Sequence, residues 1–184
     1  MLRCLGKHLR FGLRAQGGTA AVEFALIAPV LIVIYWGLAD LSLGLMASRR
    51  TSHLAASMGD LVAQSESLTQ ANVDDIFEIG SSILDPFPAE TKLHMRISSV
   101  TRNATTGVIA ADWTPAPSKN WQGTLPFDTK GLTTDQLPAG QTLIVTEVIY
   151  DFTPPIGKFL PINTTFKSTT YHHPRSGSQI PLKP

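Results

Sequence analysis

Cysteine is almost absent: the chain has one, Cys4, among 184 residues. A lone thiol so near the start leaves the rest of the sequence without a disulfide, a cysteine nucleophile or a Cys-based metal site. Charge of one sign is lacking as well. Fifteen Lys and Arg stand against fourteen Asp and Glu, a formal net charge of +1, which gives no electrostatic footprint for nucleic acid. The local signatures of catalysis are also missing: no G-x-S-x-G, no Walker loop and no H-E-x-x-H. At this length there is room for one domain of ordinary size.

What charge there is lies unevenly. Arg3, Lys7, Arg10 and Arg14 all precede position 19, and no acidic residue does. The remainder then holds eleven basic and fourteen acidic side chains. Directly after this basic leader comes the longest apolar run. Residues 24–39, FALIAPVLIVIYWGLA, carry no charge, and beyond Asp40 the apolar character continues to Ala47. From Phe24 to Met46 a helix is roughly 34 Å long, enough to cross a bilayer core of about 30 Å. The basic excess before the run predicts a cytoplasmic N-terminal side and an extracytoplasmic location for residues 51–184. A cleaved secretory signal is the competitor. Its best small-x-small site, Leu45-Met46-Ala47, starts with a large residue, and the run is long for a signal. A retained membrane helix fits better.

The junction before the helix reads QGGTAAVEF over residues 16–24. Gly17-Gly18 reads as a flexible break between leader and helix. Glu23 stands at the edge of a run meant for lipid, where a lone carboxylate is costly and is read as functional by default. The α-amino group released by a cut after Gly18 would suit it as a partner, with Thr19 the new first residue and Glu23 the fifth.

A basic leader, a glycine, a glutamate five residues on and an aromatic-plus-apolar helix together resemble a type IV prepilin. The wording GTAAVEFALIAPVLIVIYWGLADL is closer still to TadE-like proteins of the Tad (tight adherence, Flp pilus) secretion machinery. Gly18, Glu23, Phe24, Pro29, Gly37 and Asp40 match that pattern residue by residue. The resemblance implies a cut by a membrane prepilin peptidase between Gly18 and Thr19, and assembly roles for Glu23 and Phe24. Pro29, Gly37 and Asp40 would mark the membrane helix. It also implies other Tad components and pilins as partners and a single-pass location in a bacterial inner membrane. Phe24 stands where major Flp pilins carry Tyr, which with the large outer region favours a minor pilin or pseudopilin. No von Willebrand A-type region fits in this length, so the longer TadG type is disfavoured. The rest of the chain agrees in layout, through DLVAQ (60–64), TLIVTEVIYDFTPPIG (142–157) and HHPRSG (172–177).

The expected organisation is a leader (1–18), a membrane helix (19–47) and an extracytoplasmic α+β domain (48–184). Leu54, Met58, Leu61, Val62, Ser65 and Leu68 fall near one face, so the membrane helix continues as an amphipathic stalk to about Glu66. A second helix starts near Asn72 as its N-cap, with Asp74 and Asp75 in the first turn. Val73, Ile76, Phe77, Ile83 and Leu84 form its stripe, and Asp85-Pro86-Phe87-Pro88 ends it. Period-two patterning follows over 92–102, with Leu93, Met95 and Ile97 on one face, a turn at Asn103–Gly107 and a return to Thr114. Residues 142–152 read as a central strand buried on both faces, and a last strand covers 164–171. The sum is helices packed on an antiparallel sheet of three to five strands. Between 114 and 141 lies a Pro-rich insert, with Trp113 and Trp121 flanking its start. Those two are candidate partner contacts or covers for the sheet edge.

For chemistry the candidates are few. His172 and His173 are adjacent on a strand and point to opposite faces, which is poor for joint metal binding. His94 reads as solvent-facing or paired with a neighbour. Glu147 and Asp151 share a strand face, and paired carboxylates can do acid–base work, but such residues more often pair with Lys or Arg. No catalytic residue, metal, cofactor or small-molecule substrate is expected. The alternative class is a signal-anchored periplasmic binding or hydrolytic domain unrelated to pili, which has no need of the Gly18–Glu23 spacing.

Overall fold

The computed structural model describes residues 17–118, 121, 129–155, 157, 163–177 and 179–184. The basic leader and Cys4 lie outside the described residues, as does most of the 119–128 stretch. By backbone proximity the chain divides into two compact units. One comprises Met1–Ser42 with Pro155–Pro161, and the other Leu43–Pro154 with Ile162–Pro184.

The first helix, α1 (Gly17–Gln64), is one element of 48 residues. The break expected at Gly17-Gly18 is not there, since both glycines are helical. Glycine disfavours a helix by about 1 kcal/mol relative to alanine, and the long apolar run behind it propagates the helix through that cost. Inside α1, exposure changes abruptly. Leu45 and Met46 are exposed, whereas Ala47, Thr51, Leu54, Ala55, Met58 and Val62 are buried. These recur at three- and four-residue spacing and form the stripe that faces the core. Leu61, placed on that stripe by the sequence, is 43% exposed and sits at its edge.

A two-residue strand, β1 (Leu68–Thr69), leads directly into α2 (Gln70–Ile83). The expected N-cap at Asn72 is corrected to Thr69, which is extended at φ −121° and ψ 166°. Thr69 Oγ1 accepts from the Asn72 N–H at 3.2 Å, and Asn72 Oδ1 accepts from the Thr69 N–H at 3.0 Å. This is a capping box with Asn in the place usually held by Glu or Gln. Thr69 suits the role because strand pairing already holds it extended. Asp74 and Asp75 therefore fall beyond the first turn. Val73, Phe77 and Gly80 are the buried face of α2. Gly80 marks a close approach: a Cβ there would lie 3.0 Å from Leu54 Cδ1 and 3.2 Å from Met58 Sδ.

Four antiparallel strands form the main sheet in the order β3 (Ile109–Trp113), β2 (Leu93–Arg102), β4 (Thr142–Phe152), β5 (Thr164–His172). The fold is α+β. The two central strands pair from Leu93–Tyr150 to Thr101–Thr142. One face presents Leu93, Met95, Ile97, Ile144, Val148, Tyr150 and Phe152 to the α1 stripe and α2, making the principal core. On the other face, Val100, Leu143 and Val145 are covered by Leu132 and Leu137 of the β3–β4 connection. That double burial is why the 142–152 run reads as continuously apolar and β-branched.

No sequence pattern marks how the chain returns after β5. A second two-residue strand, β6 (Leu182–Lys183), pairs in parallel with β1. Ile180 is fully buried, its carbonyl accepts from Trp113 Nε1 at 2.6 Å, and the Arg175 N–H donates to the Ala63 carbonyl. Arg175 also pairs with Asp60 at 2.6 Å.

Two carboxyls are held below the ordinary aspartate value of 3.8: Asp60, chiefly by the Arg175 guanidinium, and Asp151, chiefly by the Thr165 hydroxyl and then by His94. A depressed carboxyl contributes stability above its unfolded pKa and loses it as pH falls through the folded one. The fold is therefore expected to weaken as pH drops below about 4. Thermal unfolding of the full chain in detergent should show a shallower acid loss in Asp60→Asn and Asp151→Asn than in the parent. At the alkaline end, burial pushes the Tyr150 hydroxyl above its usual value of 10.0. Its ionisation costs stability as pH rises past that point.

Candidate functional site

Residues 17–46 of α1 display large apolar side chains to the surroundings. Val22, Phe24, Leu26, Leu31, Ile34, Tyr35, Leu38, Leu41 and Leu45 are each more than half exposed. They project around the whole helix rather than along one stripe, the pattern of a helix meant for lipid. This one helix is long and apolar enough to span a membrane. Pro29 lies within it and removes one backbone donor, a loss that membrane helices commonly tolerate. Gly37 and Asp40 follow at partly exposed positions.

At the start of the helix, Gly18 has open space around it, with nothing within 4 Å of where a Cβ would stand. Its lack of a side chain is not a packing requirement of the chain itself. Thr19 and Glu23 are both exposed and four residues apart on the helix, so they share a face one turn from each other. The spacing in the sequence thus becomes a spatial relation: a charge created at Thr19 would stand on the Glu23 side of the helix. Phe24 is 68% exposed, next to the acid and pointing outward.

The acid–base candidates of the central strand β4, Glu147 and Asp151, are committed to the fold. Arg96 and Glu147 are direct cross-strand partners in β2 and β4. The Arg96 Nε donates to Glu147 Oε2 at 2.6 Å, and Nη2 reinforces the pair. Arg96 is 3% exposed, and its guanidinium lies 4.5 Å from the centre of the Trp121 ring. Asp151 accepts from the Thr165 hydroxyl at 2.6 Å and lies 3.3 Å from His94 Nε2. His94 is buried, so its solvent-facing reading is set aside in favour of the paired one. Asp112 on β3 accepts from Ser99 and Thr101. Each of these carboxylates has its partner, and the hydroxyl beside the His94–Asp151 pair, that of Thr165, is spent as a donor to Asp151. His172 faces Gly59, where a Cβ would lie 2.3 Å from its Nδ1. His173 lies 3.3 Å from the Thr142 carbonyl. Among the described residues no group of three or more His, Cys, Asp or Glu comes together.

Trp113 and Trp121, the two candidate partner contacts, are both half-buried. Trp113 packs against the core and bonds to Ile180, and Trp121 covers Arg96. Sequence patterns alone do not single out Arg96. The available signal is a basic residue in a strand whose neighbours at both faces are buried, with an acid waiting in the partner strand.

The helix carries the family likeness. Residues 18–59 match the TadE-like protein family. The matched segment starts at the exposed glycine and ends at Gly59, so it takes in the whole apolar helix and the first turns of the packed stripe. No curated protein and no solved structure matches the chain. TadE-like proteins are a structural and assembly family of the Tad pilus, and the likeness is confined to residues 18–59. Other Tad pilus components are the partners the family suggests. By length and composition the helix is consistent with a single-pass membrane anchor.

Proposed function

We propose that this chain is a minor-pilin or pseudopilin-like subunit of the Tad/Flp pilus machinery, cut after Gly18 by a prepilin peptidase and acting through protein contacts. The observation that carries this reading is the placing of Thr19 and Glu23 one turn apart at the mouth of a helix apolar on all sides. Cleavage frees an ammonium at Thr19. In poorly screened surroundings Glu23 attracts it, in its own helix or a neighbouring one. A peptidase that reads an extended backbone with no side chain accounts for Gly18, where the fold itself sets no such demand.

In this reading residues 1–18 are a cytoplasmic leader, the basic excess holds that side in the cytoplasm, and residues 48–184 form the extracytoplasmic domain. Glu147 is engaged by Arg96, and Asp151 by Thr165 and His94, which counts against these two carboxylates as a free acid–base pair. Intact-mass measurement of the protein purified from its own membranes tests the cut. The mature chain should begin at Thr19. A protein that retains Met1–Gly18, or begins near Ser48, overturns the prepilin mechanism.

A further inference from the structure

The last strand of the main sheet, β5, has nine residues and reads TTFKSTTYH. Its pairing with β4 runs from Thr164–Phe152 to His172–Ile144 without a break in register. One set of alternate side chains is used by the fold. Phe166 packs on the principal core, the Thr170 hydroxyl donates to the Ala55 carbonyl at 2.9 Å, and His172 lies against Gly59. The other set, Thr165, Lys167, Thr169 and Tyr171, is exposed. Among the described residues no backbone hydrogen bond reaches β5 from its outer side.

An open edge is a template for another strand, and natural sheets blunt it by shortness, bulges, proline or charge. The opposite edge, β3, is five residues long and its register shifts at Ser99/Val100. β5 has neither device, and neither proline nor glycine. Its one guard is Lys167, which takes part in no ion pair among the described residues. A lone cation turns away like charge and accepts the opposite one.

We propose that the outer edge of β5 receives an extended segment of another protein, acidic on one face and apolar on the other, as a fifth strand of the main sheet. The proposal rests on the membrane reading of α1. A second copy of this chain does not suit the edge. Within the second compact unit α1 meets the sheet in order: Gly44 at Phe152, the partner of Thr164, then Ala55 at Thr170 and Gly59 at His172. This stretch of α1 and β5 therefore run in the same direction. Antiparallel pairing of β5 with its own copy points the two α1 stretches in opposite directions, and both cannot then start from one bilayer. In the register that pairs all nine residues, Lys167 also lies diagonal to its own copy. Pairing with a neighbour's β3 adds four strand steps of twist, roughly 80°, and turns the neighbour's α1 nearly at right angles to the first. A free extended segment carries neither constraint. Its chemistry follows from charge. From Phe152 to Pro184 the sequence holds four Lys and Arg and no acid, and Arg175 is already paired with Asp60. Side chains of the added strand that fall beside Lys167 and Tyr171 are acidic or polar, and the alternate ones, beside Phe166, are apolar.

The test uses the full chain in phosphatidylcholine nanodiscs and a short fluorescein-labelled synthetic peptide that alternates Val with Glu or Thr. Anisotropy should show saturable binding. N-methylation of the Val amides in one peptide, and of the Glu and Thr amides in another, should abolish binding in one case and spare it in the other, because only alternate N–H groups of an added strand face its partner. Lys167→Glu, at an exposed position, should weaken the acidic peptide about fivefold and favour a version with Lys in place of Glu. Absence of binding, equal loss with either methylated set, or indifference to Lys167→Glu overturns the proposal and leaves the membrane helix standing. In a Cys4→Ser background, Thr169→Cys chains that oxidise to one another in their own membranes place a second copy on the edge, which also overturns it. A chain that does not enter the nanodiscs sinks the membrane reading itself.

Discussion

Gly18→Arg is expected to leave the protein about 18 residues longer, still in the membrane and inactive in pilus assembly. The chain accepts the substitution sterically, because nothing lies within 4 Å of a Cβ at that position. The unfolding transition of the variant should match the parent's. Loss of processing with an unchanged fold assigns the glycine to an external reader, the peptidase. Glu23→Ala separates the second step from the first. It leaves the cut site untouched, so the mature mass should appear at a near-normal rate, yet the protein should fail to assemble. Stranding one member of a buried charge pair costs roughly 3–5 kcal/mol, and less at the interface. Even the lower figure changes an association constant by more than about a hundredfold. Intact mass and a pilus assay on both variants make the distinction. A Glu23→Ala protein that assembles normally removes the carboxylate from the mechanism.

The second large effect is on stability. Arg96→Met should lower the stability of the full chain by about 3 kcal/mol, the low end of the cost of stranding one member of a buried pair. The low end applies because the Glu147 side chain keeps 19% of its exposure. The Trp121 ring loses its cation as well. Arg96→Lys should recover only part of this, since an ammonium cannot reproduce the forked contact to the carboxylate. Arg96→Met with Glu147→Leu should recover most of it, because matched apolar groups replace both ions. Denaturant unfolding of the parent, the two single variants Arg96→Met and Glu147→Leu, and their combination forms a double-mutant cycle. Additive losses would show that Arg96 and Glu147 do not act as a pair.

Much of the architecture can be read directly from side-chain patterns. The apolar run, the period-two strands and the doubly buried 142–152 segment each follow from a fixed repeat, and the sheet has the expected antiparallel strands. What escapes has no repeat. The capping box at Thr69 uses Asn72 where Glu or Gln is the usual signal, so the start of α2 reads three residues late. The β1–β6 pairing involves two residues on each side, too few for any periodicity to register. The Arg96–Glu147 pair joins positions 51 apart in sequence, and only the register of β2 against β4 brings them together. The Thr19–Glu23 relation is legible because a helix turns local spacing into geometry without help from the rest of the fold.

The clasp between Leu68–Thr69 and Leu182–Lys183 has a consequence for biosynthesis. The capping residue of α2 is anchored to a strand made long after it, and the Trp113 indole donates its N–H to the carbonyl of Ile180. Before Ile180 to Lys183 are made, Leu68 and the edge of β3 lack this cover. Until then the nascent polypeptide displays apolar surface, and a chaperone or translocation channel holding it would have its greatest influence in that interval.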